Sequence, residues 1–329
     1  MDRTNYLDLN ATDEMSRKNF FRHLAIACDG MLAPCVYEEI FFLASTLTEK
    51  NILEIGTASG ASSIAAGIGL HFSEPKGKVI TIDKHTGGSR AKYFSAEESL
   101  QIVRKNIRAW NLDEIVFPVV AKSGDQINTG FNGPIDMMIL DADGKINRDI
   151  LQWKDYCVSD LLLVIDDCEN LIRIIEDSPN HWKIDCKKYL TWKLFNLYVD
   201  AGIFSDFYFI NDCVFTRAFL GKINENVNLA SDKIVNDVKQ LSIEINAKNT
   251  VIIPDLKIKP ENYKHPLPKY FFEKFSKVNL IQPGEIARID IREFTADNII
   301  TQKGQLRDFR RRNSKIFKGT LNSRMRRTT

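Results

Sequence analysis

The sequence predicts an α/β fold: a doubly wound, mostly parallel sheet closed by an antiparallel hairpin, with a C-terminal extension. Three observations carry this. Short apolar runs alternate with amphipathic stretches of helical period from about residue 50 to 165, the signature of parallel strands joined by helical crossovers. The run Asn51-Ile-Leu-Glu-Ile-Gly-Thr-Ala-Ser-Gly-Ala-Ser-Ser63 reads as a buried strand entering a glycine-bearing turn, then a small-residue helix from about Ala61. Two later apolar runs, Phe204–Ile210 and Cys213–Leu220, are joined by the polar pair Asn211-Asp212, which suits a tight hairpin.

Residues 13–48 read as helical, with Phe20, Phe21, Leu24 and Ala25 on one face. After a break at Gly30, Ile40, Phe41, Leu43 and Ala44 begin another. Strands are expected at Ile52–Ile55, Lys78–Asp83, Ile115–Val120, Ile135–Leu140 and Leu161–Ile165. Helices are expected at Ala96–Trp110, Arg148–Val158, Trp192–Ala201 and Ser231–Ile245. Short strands are expected again at 251–253 and 286–291, in a stretch punctuated by Pro254, Pro260, Pro266, Pro268 and Pro283. The division expected is a first domain over 1–222, a small α+β extension or packing arm over 223–302, and a basic, flexible tail over 303–329.

Composition sets the class. With 44% hydrophobic and 27% charged residues, the chain has the profile of a soluble globular protein. No apolar run reaches the roughly 18 residues of a membrane span. The start, Met1-Asp-Arg-Thr-Asn-Tyr-Leu, lacks a signal peptide's basic and apolar segments, so a cytoplasmic protein is expected. Six scattered cysteines without a Cys-x-x-Cys pair are expected to be free thiols. The net charge of +2 is uneven: Lys303 to Arg327 carries +9 and the rest −7.

In open parallel sheets ligands bind outside the carboxyl ends of the strands. Here those ends carry Glu54 and Gly56, then Asp83, then Ser123 and Asp125, then Asp141 and Asp143, then Asp166 and Asp167. Acids at buried strand ends are costly unless a ligand, a helix N-terminus or a cation satisfies them. Gly56 lets the chain turn off the first strand, and Gly60 lets the backbone approach a ligand. The spacing Glu-x-Gly-x-x-x-Gly lacks the middle glycine that admits a pyrophosphate. Asp83 stands where an acid can accept both hydroxyls of a ribose, or else act as a solvated strand-end acid or a helix cap. Ser62 and Ser123 can hydrogen-bond a ligand at these strand ends, or serve as simple caps.

Glu54-Ile-Gly-Thr-Ala-Ser-Gly-Ala-Ser62 resembles motif I of the class I S-adenosylmethionine-dependent methyltransferases, which have a Rossmann-like sheet. Taken with Ile82-Asp83, Leu140-Asp-Ala-Asp143 and Ile165-Asp-Asp167, it resembles the metal-dependent O-methyltransferases of the catechol, caffeoyl-CoA and macrocin types over about residues 20 to 220. The resemblance implies S-adenosylmethionine bound by Glu54, Gly56, Thr57, Ser59, Gly60, Ser62, Asp83, Ser123 and Asp141. It also implies one magnesium ion held by Asp141, Asp166 and Asp167, on which a substrate's neighbouring oxygens would be activated. The alternative to a metal site is that Asp166 and Asp167 merely cap the following helix and accept backbone N–H bonds.

Where the caffeoyl-CoA type has a lysine directly after its Asp-Ala-Asp, and macrocin-like enzymes often a histidine, this chain has Gly144. That leaves Asp143 and Lys145 as catalytic-base candidates beside Asp141. The glycine pair usual before the fifth strand is replaced by Val158-Ser-Asp160.

The expected function is O-methylation of a small molecule or sugar. Two alternatives stand beside it: a nucleic-acid-associated methyltransferase using the basic tail, and a non-catalytic S-adenosylmethionine-binding protein. The acidic body argues against nucleic acid as a partner. The tail suits contact with an anionic membrane surface, and a homo-oligomer is compatible with the sequence.

Overall fold

The structure, a computed structural model, describes residues 13–71, 77–85, 95–125, 127, 130–178 and 181–247. Two helices lead in, α1 (Glu14–Ala27) and α2 (Pro34–Ser45). Asp13 caps α1 by accepting from the Ser16 N–H, and Pro34 opens α2, where an N–H would lack an intrahelical partner. Strands and helices then alternate: β1 (Asn51–Ile55), α3 (Ala61–His71), β2 (Lys78–Asp83), α4 (Ala96–Ala109), β3 (Val116–Val120), β4 (Ile135–Leu140), α5 (Ile146–Trp153) and β5 (Cys157–Ile165). After β6 (Arg173–Ser178) and β7 (His181–Asp185) come α6 (Lys187–Asp200), β8 (Phe204–Ile210), β9 (Cys213–Ala218) and α7 (Glu225–Ala247).

Seven strands form one sheet in the order β3-β2-β1-β4-β5-β9-β8. The first five are parallel, β9 runs antiparallel to β5, and β8 antiparallel to β9. The chain winds outward in opposite directions from β1 and β4, which are buried at every residue, so the switch point lies between their carboxyl ends. Ile55 pairs with Ile82 and Leu140, and Leu140 with Ile165, which aligns the carboxyl ends along one edge. A hydrophobic core packs Phe21, Leu24, Ile40, Phe41, Ile64 and Ile68 of α1 to α3 against Ile52 and Met137 of the sheet. Each such side chain contributes about 1.5–3 kcal/mol on full burial.

Several boundaries differ from the sequence reading. The helix expected at 148–158 is α5, ending at Trp153; a 3-10 turn follows and β5 already begins at Cys157. The first four residues of β5 are exposed or half-buried, and its register against β4 shifts between Ile135 and Met137, so this half of the strand lacks an apolar signature. Helix α6 starts at Lys187 instead of 192, and α7 at Glu225 instead of 231. The β6–β7 hairpin, with Arg173 paired to Asp185 at its base, was not anticipated. The six cysteines are free thiols, as expected. No described helix is long and apolar enough to cross a membrane.

The chain divides into two compact units, Met1–Glu169 with Lys187–Asp237, and Asn170–Cys186 with Val238–Thr329. The strands expected at 251–253 and 286–291 and the basic tail lie outside the described residues.

Candidate functional site

The motif loop between β1 and α3 is built from conformations and contacts specific to its residues. Gly56 has φ +101°, and a Cβ there would sit 2.2 Å from the Asp141 carbonyl oxygen, so a side chain is excluded by the neighbouring strand end itself. Gly60 has φ +86° and no protein atom closer than 3.4 Å to a built Cβ, so within the protein its requirement is conformational. Ala58, also left-handed at φ 49°, donates its N–H to Asp83 Oδ2 at 3.1 Å, and Thr57 N–H donates to the same oxygen at 3.0 Å. Asp83 Oδ1 accepts from His85 N–H at 2.7 Å. Two of these bonds fill Oδ2 and one lies on Oδ1, so Asp83 first fixes the loop and keeps one lone pair for a further donor. The sequence reading had it free for two.

Glu54 lies behind the loop, fully buried, its carboxylate accepting the hydroxyls of Ser62, Ser63 and Thr81. Burial pushes its carboxyl up to about 7 against the pull of those hydroxyls. Its contacts are to this internal network and not to the open side of the loop.

A shallow cavity opens beside the loop, bounded by Gly56, Thr57, Ser59 and Ser62 on one side, Tyr37 and Asp29–Leu32 on another, and Asp141. Ser59 is buried, and its Oγ is without a hydrogen-bond partner. Tyr37 Oη accepts from the Leu32 N–H at 3.0 Å. The first-turn N–H groups of α3 have no intrahelical acceptor. An orphaned buried hydroxyl, a helix N-terminus and a tyrosine on one cavity fit the polar end of an amino-acid-bearing nucleoside.

The three aspartates after β4 and β5 converge. Carboxylate oxygens of Asp141, Asp166 and Asp167 lie within 4.8 Å of one another. Register explains why: Asp141 N–H donates to Ile55 O, and Asp166 N–H to Leu140 O, each continuing the sheet by one residue. Asp167 then turns left-handed at φ 55°, which an aspartate tolerates better than most residues. Burial raises Asp141, with Lys187 opposing it, and burial with Asp141 and Asp167 raises Asp166 well above the usual range. Three hard oxygen donors so placed suit one magnesium ion.

Sequence reasoning missed Lys187. Its Nζ lies 2.8 Å from Asp141 Oδ1 and 2.9 Å from Asp167 Oδ2. Burial alone would favour the neutral amine, but Asp141, Asp167 and Asp166 outweigh it and hold Lys187 charged. No motif marks this residue, because its partners stand 20 and 46 positions upstream.

The remaining candidates form a second cluster. Arg148 binds Asp143 through both guanidinium NH groups at 3.0 Å, and Asp149 through Nε at 2.9 Å. Ser123 donates to Asp149 and accepts from Arg148. Burial alone would lift Asp143, yet Arg148 outweighs it and holds the carboxyl below the usual range. Lys145 is the N-cap residue of α5 and donates its backbone N–H to Asp143 Oδ1 at 3.2 Å. Asp143 is thus committed to an ion pair and not poised as a base.

Known proteins resemble part of this chain. A family profile described as a methyltransferase domain matches residues 53–168. A catechol O-methyltransferase of Mycobacterium tuberculosis is 30% identical over 116 residues, covering 34% of this chain and 44% of that protein. The match thus spans less than half the length of that relative. Among solved structures, an O-methyltransferase from Bacillus cereus in complex with SAH aligns at 19% identity and TM-score 0.44, over 65% of this chain and 95% of that one. A Streptomyces achromogenes O-methyltransferase involved in tomaymycin synthesis, in complex with SAM, aligns at 15% identity and TM-score 0.43, over 63% and 90%. Residues 53–168 thus match a methyltransferase-domain profile, and they span the strands from β1 to β5 of the seven-stranded sheet and the loops that follow them.

Proposed function

We propose that this protein transfers the methyl group of S-adenosylmethionine to a hydroxyl oxygen of a small molecule or carbohydrate, in the cytoplasm, with a magnesium ion at Asp141, Asp166 and Asp167. One observation carries the reading: Asp141 belongs to both halves of the site. It lines the cavity beside the motif loop and shares the three-carboxylate cluster.

The chain's own residues divide the work. Gly56, Thr57, Ser59 and Ser62 line the donor's cavity, with Ser59 Oγ available to the amino-acid end and Asp83 holding the loop in shape. Asp141, Asp166 and Asp167 would hold the cation, and thereby fix the acceptor oxygen beside the donor's methyl group. S-adenosylmethionine supplies an electrophilic methyl on a sulfonium. A bound divalent cation supplies Lewis acidity that lowers the acceptor hydroxyl's pKa. Asp143, paired to Arg148, serves to brace the loop after β4 and not to accept the acceptor's proton.

The test is labelled methyl transfer to a panel of catechols, other phenols and sugars, with and without chelator. Transfer should stop in chelator and return with Mg²⁺. Asp166→Asn should lose turnover by about a hundredfold, the scale of one lost transition-state interaction. Its S-adenosylmethionine affinity by calorimetry should stay within about threefold, since Asp166 does not line the donor cavity. Full transfer in excess chelator would remove the metal from the reading.

A further inference from the structure

The aspartate cluster already holds a cation of the protein's own. Lys187 Nζ bridges Asp141 Oδ1 and Asp167 Oδ2 at 2.8 and 2.9 Å, on two of the three carboxylates that converge within 4.8 Å. We infer that Lys187 is the built-in counter-ion of this cluster, and that a divalent cation enters only by displacing its ammonium group. The inference rests on reading the cluster as a cation site.

Like charges this close cannot all ionise without a neutralising partner. The first residue of α6 supplies it. The fold makes room for the residue that does so: Gly144 has φ +82°, and a Cβ there would lie 2.9 Å from the Lys187 carbonyl oxygen and 3.0 Å from Thr191 Oγ1. A side chain at 144 would push the first turn of α6, and Lys187 with it, away from the aspartates. Glycine is thus the residue that lets this turn approach.

The arrangement is also suited to exchange. The neighbouring Lys188 is buried and pairs with Glu169 and Asp212, each at 2.8 Å, so the backbone of the turn is fixed independently of Lys187. A lysine head on a four-carbon stem can leave its partners by rotation about side-chain bonds, with no unwinding of the helix. A divalent ion brings twice the charge to the same oxygens, together with a preference for carboxylate donors. Lys188, whose partners lie outside the cluster, is the structural half of the pair, and Lys187 the exchangeable half.

The experiment titrates Mn²⁺, a spectroscopic stand-in for Mg²⁺, into the full-length protein and counts free ion by electron paramagnetic resonance. Lys187→Met should bind Mn²⁺ at least tenfold more tightly than the wild type, whereas Lys188→Met should not gain affinity. Equal or weaker binding by a folded Lys187→Met, or no binding by either protein, overturns the inference. A second measurement needs no variant. In the wild type, acetylation of Lys187 followed by mass spectrometry should be slow without cation and at least fivefold faster at saturating Mg²⁺; an unchanged rate overturns the inference. The two readings fail separately. Methyl transfer that survives chelator while Lys187→Met binds Mn²⁺ tightly refutes only the metal's part in the reaction. Transfer that needs Mg²⁺ while Lys187→Met gains no affinity refutes only the displacement.

Discussion

Glu54 is a carboxylate with no exposure, reached by the hydroxyls of Ser62, Ser63 and Thr81. Its position in the motif marked it as a ligand to the donor, but its contacts make it the support on which the start of α3 rests. Because burial raises its carboxyl in the folded protein to about 7, above the ordinary value of 4.5, the folded state holds this proton more tightly than the unfolded chain does. Its contribution to stability is therefore complete below about pH 4.5 and is lost as pH climbs through 7. The shift is worth about 3 kcal/mol between those limits. Glu54→Gln should flatten the fall in melting temperature between pH 5 and 8 relative to the wild type; parallel slopes for the two proteins would contradict the assignment.

Legibility at this scale followed locality. Gly56, Asp141, Asp166 and Asp167 stand at strand ends, where a sequence reading looks, and three of them form the cluster. Lys187 does not, because nothing local distinguishes it from the solvated lysines of any helix start.

Among the elements, the central strands were legible because both of their faces are buried and they read as short, mostly apolar runs, interrupted only by Asn51 and Glu54 in β1 and Asp136 in β4. The α5–β5 junction and the β6–β7 hairpin were not. The first four residues of β5, Cys157-Val-Ser-Asp160, mix apolar and polar types and are exposed or half-buried, and the charged residues of Arg173-Ile-Ile-Glu-Asp-Ser obscure its period. Helix α4 shows the opposite case. Ser95 and Glu98 form a reciprocal capping box, and Leu100, Val103 and Ile107 make the buried stripe. The helix also ties the motif loop: Asn106 donates a side-chain N–H to Ser59 O at 2.9 Å. Ser95→Ala should cost about 1 kcal/mol in urea unfolding. Ser95→Ala and Glu98→Ala should be non-additive, since each removes the other's partner. Strict additivity would show that the two bonds act separately.

On the scale of the whole chain, the hairpin between β5 and α6 interrupts the first unit. The chain leaves that unit after Glu169 and rejoins it at Lys187. The exit and the return are clipped together, because Lys188 pairs with Glu169 at 2.8 Å. At the hairpin's own base Arg173 and Asp185 are direct cross-strand partners, so their Cα atoms stand about 5 Å apart. A gap of that size is one a two-residue turn closes. Replacing Ile174–Ile184 with Asn-Gly should leave the melting temperature of the first unit within about 3 °C, no more than the roughly 1 kcal/mol change that a typical single substitution produces. S-adenosylmethionine binding should be retained; its loss by calorimetry would mean that the hairpin takes part in holding the donor.

That geometry has a consequence for descent as well as for stability. A segment whose two ends already touch can be lengthened, shortened or exchanged between lineages without moving the residues on either side. The chain between Asp167 and Lys187 is therefore a place where new recognition can be acquired one insertion at a time while the chemistry beside it is inherited unchanged.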